Sequence, residues 1–182
     1  MNRGLFKIWQ FLILLERIQN SIEIKYQFIL EDERIFTKCM EKLPETLDVN
    51  GLLNFTSIAF DMSETGVTLS GNATVIWDIQ PTDRVQLAAN VLYYERGSWQ
   101  PTTLNLLVKD FCKVMFDKNQ LWYESFSKNI KNSAEVKEKC FRVKGTRIIF
   151  ETYTVNFVFG SGFPLKNGRY TLRYKFTAHD VH

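Results

Sequence analysis

VTLSGNATVIWDI, residues Val67 to Ile79, alternates apolar and polar side chains almost without a break. Val67, Leu69, Gly71, Ala73, Val75, Trp77 and Ile79 fall on one side. Thr68, Ser70, Asn72, Thr74 and Asp78 fall on the other, and only Ile76 departs from the pattern. A period of two places successive side chains on opposite faces of a strand. One dry face and one wet face describe a half-buried antiparallel strand. Pro81 ends the run, because proline cannot donate to a sheet ladder. Arg84 to Tyr94 resumes the alternation through Val85, Leu87, Ala89, Val91 and Tyr93. The short connection between the two runs predicts a hairpin.

The same pattern extends outward in both directions. Ile22 to Leu30 has the β-branched and aromatic composition of a strand, with Ile22, Ile24, Tyr26, Phe28 and Leu30 on one face. An acidic loop through Cys39 and Pro44 follows. Leu52 to Asp61 reads as a strand and Ser63 to Gly66 as a turn. Gly97 to Pro101 breaks the chain, and Thr102 to Val108 is a short strand. Arg147 to Phe159 reads as one long strand with Ile149, Tyr153, Val155, Phe157 and Phe159 on one face. Gly168 to Thr177 is a regular strand with Tyr170, Leu172, Tyr174 and Phe176 inward.

One segment interrupts these strands. DFCKVMFDKNQLWYESFSKNIKNSAEVKEKC, Asp110 to Cys140, is helical in pattern. Asp110 is a candidate N-cap, and Phe111, Met115, Trp122 and Phe126 suit one helical face. Asn119 weakens the middle, and Ser133 is a second candidate cap ahead of Ala134 to Cys140. Six or seven strands with one helical insertion, about 110–140, predict a mainly β fold. It is expected to be a single-domain antiparallel β-cup or sandwich with an apolar cavity, its insertion covering an edge or a mouth.

Composition agrees with one domain that can bury a sizeable core. The chain has 182 residues, 45% of them hydrophobic and 14% aromatic, with 15 Phe. Such aromatic content serves either a Phe-rich core or a pocket for an apolar ligand. With 23 basic and 20 acidic residues the net charge is +3, too balanced to argue for nucleic acid. Lys128, Lys131, Lys137, Lys139, Arg142 and Lys144 bunch together, broken by Glu135 and Glu138. A solvated face is the plain reading of that bunch, and an anion or headgroup contact the sharper one.

Three cysteines occur, Cys39, Cys112 and Cys140, with no CxxC pair. Zinc needs four well-spaced ligands, so no metal site is expected. In an oxidising compartment two cysteines pair and one is left over, and Cys112 with Cys140 is the expected pair. In a reducing compartment all three would be buried thiols. At the N-terminus, Arg3 and Lys7 precede an apolar run from Ile8 to Leu15, too short to span a membrane. Residues 1–21 read as a weak signal peptide or as an amphipathic helix using Leu5, Ile8, Trp9, Leu12 and Leu15. The cysteines and sequons favour the signal, which leaves 22–182 as the folded domain and an extracellular location.

Two N-glycosylation sequons begin at Asn54 and Asn72, a number that chance alone would give. Asn72 lies on the wet face of the Val67 strand, whereas both faces around Asn54 carry apolar residues. Nucleophilic catalysis needs a base beside the nucleophile, and the only histidines are His179 and His182. There is no GxSxG elbow and no phosphate-binding glycine loop. Asp61 with Glu64, and Asp32 with Glu33, sit near turns and read as solvated carboxylates. No catalytic residues, cofactor or enzyme activity are expected. Tyr93, Tyr94 and Trp99 near Arg96 could line a pocket mouth, with Trp122, Tyr123 and Phe126 as its lid. Trp77, Tyr93, Trp99, Trp122 and Phe157 are the candidate cavity or rim residues, against a plain reading in which they are ordinary packing.

GNATVIWDIQPTDRVQ, ERGSWQPT, DFCKVMFDKNQLWY, VKEKC and LKNGRYTLRYKFTAHD together resemble the insect Che-type chemosensory proteins. Those belong to the ganglioside-activator-like group, distantly similar to the MD-2-related lipid-recognition domains. The resemblance covers roughly Ile24 to Asp180. Its most specific parts are WDIQPTDR and the spacing of DFC, FDKNQ, WY and EKC. It implies a secreted β-cup around an apolar cavity that binds a lipid or other hydrophobic semiochemical in taste or pheromone perception. It also implies the Cys112–Cys140 pair and a cleaved leader. Cys39 matches a family cysteine expected to pair near the C-terminus. No cysteine follows Cys140, so either a final strand is missing or Cys39 is free.

Two roles follow from this reading. One is a non-enzymatic extracellular carrier of a hydrophobic small molecule or lipid, with transient membrane contact. The other is an accessory subunit of a chemosensory receptor or ion channel, working through the helical insertion and its basic flank.

Overall fold

The structure, a computed structural model, describes residues 24–31, 46–64 and 66–180. The leader expected over 1–21, Ile22, Cys39 and the acidic loop around Pro44 lie outside the described residues. Chain order gives β1 (Ile24–Phe28), β2 (Leu53–Ser63), β3 (Gly66–Val75), β4 (Arg84–Glu95) and β5 (Ser98–Val108). The insertion holds α1 (Phe111–Val114) and α2 (Ser133–Lys139), and β6 (Arg147–Thr154), β7 (Phe157–Ser161) and β8 (Tyr170–His179) follow. The protein is mainly β with few helical residues, as the alternation predicts.

The described residues fall into two compact units. The smaller contains 24–27 and Val158–Lys166. In it β1 pairs with β7, and the Tyr26 hydroxyl accepts from the Leu165 amide at 2.8 Å. The larger holds Phe28–Phe157 and the chain from Asn167 onward. It is built from two three-stranded sheets, β2-β3-β6 and β5-β4-β8. All four strand pairs in these two sheets are antiparallel.

The core lies on the inner faces of these two sheets. Leu69, Ala73 and Val75 of β3 meet Ile148 and Phe150 of β6, Val85 and Leu87 of β4, Phe111 and Met115 of the insertion, and Phe141 just after it; Val67 of β3 is buried as well. Many of these side chains are fully buried, and each contributes on the order of 1.5–3 kcal/mol relative to exposure.

Several boundaries differ from the sequence expectation, each for a visible reason. β3 and β4 do not form a hairpin. β3 pairs with β2 and β6, β4 pairs with β5 and β8, and residues 76–83 carry the chain from one sheet to the other. β3 stops at Val75 because its neighbours run out. The Val75 amide donates to Thr146 O and the Ile76 amide to Leu52 O, just outside β6 and β2. A turn at Pro81 then forms, in which Asp83 accepts from the Gln80 amide and donates its own amide to Gln80 O.

The break expected at Gly97 to Pro101 is only a two-residue turn. Glu95 faces Ser98, and Arg96 and Gly97 both have positive φ, 51° and 81°. That is the left-handed pair a tight hairpin needs, and glycine supplies one of them without strain. Pro101 sits inside β5, tolerated because β5 is an edge strand. Beside it the ladder shifts register, and the Thr102 hydroxyl donates to Val91 O at 2.7 Å.

Two further bulges re-phase sheet β2-β3-β6. In β2, Asn54 pairs with Thr74 but Ser57 with Asn72, so one extra residue enters between them. The apolar set therefore changes parity, from Leu53 to Ile58 and Phe60, which is why both faces of this strand look apolar in sequence. Gly71 makes this possible. Its φ is +102°, and a Cβ there would stand 2.1 Å from the Ser57 carbonyl oxygen. In β6, Phe150 faces Gly71 but Tyr153 faces Leu69. Ile148 and Phe150 are therefore the core residues, in place of the Ile149 face read from sequence. The long run predicted over Arg147 to Phe159 is two strands in different sheets.

The insertion is less helical than its pattern. α1 is a single turn, capped by Asp110, whose carboxylate accepts from the Lys113 amide at 3.4 Å. Turns then run to Phe126. Ser133 does not cap α2 but is its first residue, following Asn132. The Asn132 amide group is committed to β6, donating to Arg147 O at 2.7 Å and accepting from the Ile149 amide at 3.0 Å. Cys112 and Cys140 form a disulfide that joins α1 to the residue after α2, with 5.7 Å between their Cα atoms. Closing a 28-residue separation contributes about 3–4 kcal/mol in the chain-entropy account.

Candidate functional site

The insertion closes one end of the larger unit with a cluster of rings. Phe111 stacks on Phe141 with centroids 5.5 Å apart, and Phe176 of β8 meets both edge-on at 5.1 and 5.3 Å. Phe126 reaches Phe150 of β6 at 5.7 Å and lies 6.4 Å from Phe141. Trp122 leans on Phe111 at 5.2 Å and donates its indole N–H to Met115 O at 2.9 Å. The buried Ser127 hydroxyl donates to the same carbonyl. Tyr153 of β6 donates to Ser125 O at 2.9 Å, and burial pushes its phenol up to about 12. These contacts bind the insertion to both sheets through aromatic packing and satisfied polar groups.

Away from this plug, the inner face of β5-β4-β8 opens. Residues directly opposite in an antiparallel pair share a face. Phe176 faces Leu87, Tyr174 faces Ala89, Leu172 faces Val91 and Tyr170 faces Tyr93. On β5, Val108 and Leu106 continue the same rows beside Leu87 and Ala89. Burial fades along these rows. Val85 and Leu87 are 0% and 6% exposed, while Tyr174 and Leu172 are 37% and 52% exposed. The sequence pattern puts all four inward, and the structure keeps that face; among the described residues the insertion covers one end and Phe28 meets Tyr170 edge-on at 5.4 Å at the other, with Leu172 and Tyr174 exposed between them. At this open end the described residues present an apolar sheet face; they do not show the enclosed cavity expected from sequence.

The five candidate rim residues do not converge. Tyr93 lies on the opening face, 5.0 Å from Tyr170, with its hydroxyl donating to Asn167 O at 3.1 Å. Trp99 is paired with Tyr94 one position away, and so lies on the opposite face, edge-on to Tyr94 at 5.0 Å. Arg169 stands over the Tyr94 ring at 5.6 Å and is held by both carboxylate oxygens of Glu31. Trp77, Trp122 and Phe157 are half-buried against the core. Sequence reasoning missed Leu172 and Tyr174 as accessible positions because alternation reports a face and not what covers it.

Of the two sequons, Asn54 is the exposed one. It sits at the β2 bulge, where its side chain accepts from the Thr56 amide at 2.9 Å. Asn72 is half-buried on the central strand, between Ser57 and Ile149. Half of the basic bunch is in ion pairs among the described residues. Lys128 meets Glu124 at 2.8 Å, Lys139 meets Glu135 at 2.7 Å and Lys144 lies 3.7 Å from Asp78. Glu124 raises the Lys128 ammonium, and Lys139 with Asn132 lowers the Glu135 carboxyl.

Among the described residues no cluster of three or more His, Cys, Asp or Glu is placed to hold a metal, and no helix is long and apolar enough to cross a membrane. Comparison with family models, curated proteins and solved structures gives no match.

Proposed function

We propose that this protein is a secreted, non-enzymatic carrier of a hydrophobic small molecule or lipid. The observation that carries the reading is the inner face of β5-β4-β8, sealed under the insertion and open around Leu172 and Tyr174. An exposed apolar patch continuous with a core is a candidate binding surface. An alkyl chain laid on this face would gain about 0.8 kcal/mol per buried CH₂, before the costs of association. The Cys112–Cys140 disulfide supports an oxidising compartment. The resemblance to insect Che-type chemosensory proteins adds the expectation that the ligand is a semiochemical. The mechanism would be solubilisation and delivery, with no covalent step.

Native mass spectrometry of protein secreted from insect cells tests this. A discrete co-purified apolar mass, displaced by a fluorescent fatty-acid probe, is the expected result. Secreted protein that carries nothing and does not bind the probe would overturn the carrier reading. Weight would then pass to the accessory-subunit role.

A further inference from the structure

The two helical turns joined by the disulfide enclose an open pocket of about 300 Å³, lined by Asp110, Cys112, Lys113, Lys137 and Arg142. It belongs to the larger unit and is lined by charge, unlike the open apolar face. Three cations face one carboxylate, so the pocket has two positive charges in excess. Asp110 is already engaged. One oxygen accepts from the Lys113 amide and the other lies 3.1 Å from Lys113 Nζ. On α2, Glu135 is taken by Lys139, and Lys137 has no ion pair among the described residues. Arg142 donates one Nη to Glu138 O at 3.3 Å, but its Nε is buried and has no acceptor among the described residues. A buried guanidinium N–H without an acceptor is expensive, and such a group calls for an explanation.

We infer that this pocket is a binding site for a tetrahedral oxyanion of the phosphate-monoester class. Arg142 adds a fixed positive charge and its uncommitted Nη to the pocket wall, and Lys113 and Lys137 add ammonium charges. A phosphate monoester carries about −1.5 to −2 charge at neutral pH, which matches the excess of two. A single carboxylate would leave one cation unbalanced. The volume is at the lower end of small-ligand pockets, enough for the anion with part of the group that bears it. The disulfide fixes the spacing of the two backbone segments that carry these cations. The inference does not depend on the carrier reading, because none of these residues lies on the β5-β4-β8 face.

The test uses the intact protein and two probes, inorganic phosphate and vesicles of neutral phosphatidylcholine with or without phosphatidic acid. In amide and Arg Nε–H NMR at constant ionic strength, phosphate should give saturable shifts confined to residues 110–113 and 137–142. Arg142→Gln should weaken binding roughly tenfold, and Arg142→Lys and Lys137→Gln several-fold. Lys137 is exposed, so its variant tests the site even where a change at Arg142 harms folding. Co-sedimentation with phosphatidic-acid vesicles, lost in Lys137→Gln and competed by phosphate, would assign the anion to a lipid headgroup. Phosphate binding without vesicle binding would assign it to a soluble phosphate ester. Shifts that chloride reproduces, that do not saturate, or that survive all three substitutions would overturn the site, as would vesicle binding indifferent to them.

Discussion

The two ends of the β5-β4-β8 sheet use the same residue types and reach opposite outcomes. Near the insertion, Val85, Leu87 and Phe176 lie under Phe111 and Phe141. Toward the β4–β5 turn, Val91, Leu172 and Tyr174 continue the same rows, yet Leu172 is 52% exposed. The difference lies in what is folded over each end and not in the strands. A period-two pattern specifies a face, and the cover must come from elsewhere in the chain. Here the cover is a 31-residue segment, Asp110 to Cys140, held by a disulfide, a ring cluster and the Asn132 bridge to β6.

The sharpest way to break this contrast is to remove the plug. Phe141 is 2% exposed and touches Phe111, Phe126 and Phe176. Phe141→Ala should cost about 3–5 kcal/mol, since it removes buried area and leaves a cavity that the braced insertion cannot collapse into. Urea unfolding followed by far-ultraviolet circular dichroism checks this. A loss below about 1 kcal/mol would mean that the insertion is not part of the core, and the two ends would then be equivalent.

The next effect is a titration confined to the closed end. The Tyr153 phenol is pushed up to about 12 by burial, against an ordinary value near 10. Its folded value is the higher one, so its contribution is complete below about pH 10 and is lost as pH rises through about 12. Roughly 2–3 kcal/mol should disappear across that window. Tyr153→Phe should flatten the loss while giving up the hydrogen bond to Ser125 O. Comparing urea midpoints at pH 8 and pH 11 for both proteins measures it. An unchanged slope in Tyr153→Phe would show that the alkaline loss arises elsewhere.

Much of the larger unit is legible in the chain, and the exceptions share a cause. Val67 to Val75 and Arg84 to Glu95 declare themselves as strands by alternation, and Asp110 announces its cap. Alternation fails wherever an extra residue enters one strand. The β2 bulge between Asn54 and Ser57 makes both faces look apolar, and the β6 bulge before Tyr153 hides Ile148 and Phe150 as the core pair. Gly71 is the trace a bulge leaves in sequence, but a glycine in a strand can be read equally as a small inward residue. Partner choice is equally hidden. The short link from β3 to β4 looks like a hairpin, and only the positions of β2, β6 and β8 show that it changes sheets. Of the candidate site, the aromatic residues stood out by size, which led to Trp99 and Tyr93 being grouped although they point to opposite faces. The pocket cations came partly from the charge bunch; Lys113 carried no signal because its neighbours in space lie 24 and 29 residues away.

The smallest effect on stability is the one that tests the open end most directly. Leu172 is half exposed and directly opposite Val91, on an edge strand whose ladder bonds involve only backbone. Leu172→Asp should change stability by no more than about 0.5 kcal/mol, because little buried area is lost and the new carboxylate can reach water. The same substitution puts a charge on the apolar face, and a bound alkyl chain would desolvate it. Burying an unpaired carboxylate is far costlier than losing one side chain's contacts. Binding of a fluorescent fatty-acid probe should therefore fall by at least about tenfold while the urea midpoint stays put. That split is impossible at the closed end, where any change that expels a ligand would also damage the core. If probe binding survives Leu172→Asp, the open face is not where the ligand sits. If the midpoint drops with it, Leu172 is covered in solution and the two ends of the sheet differ less than their exposures indicate.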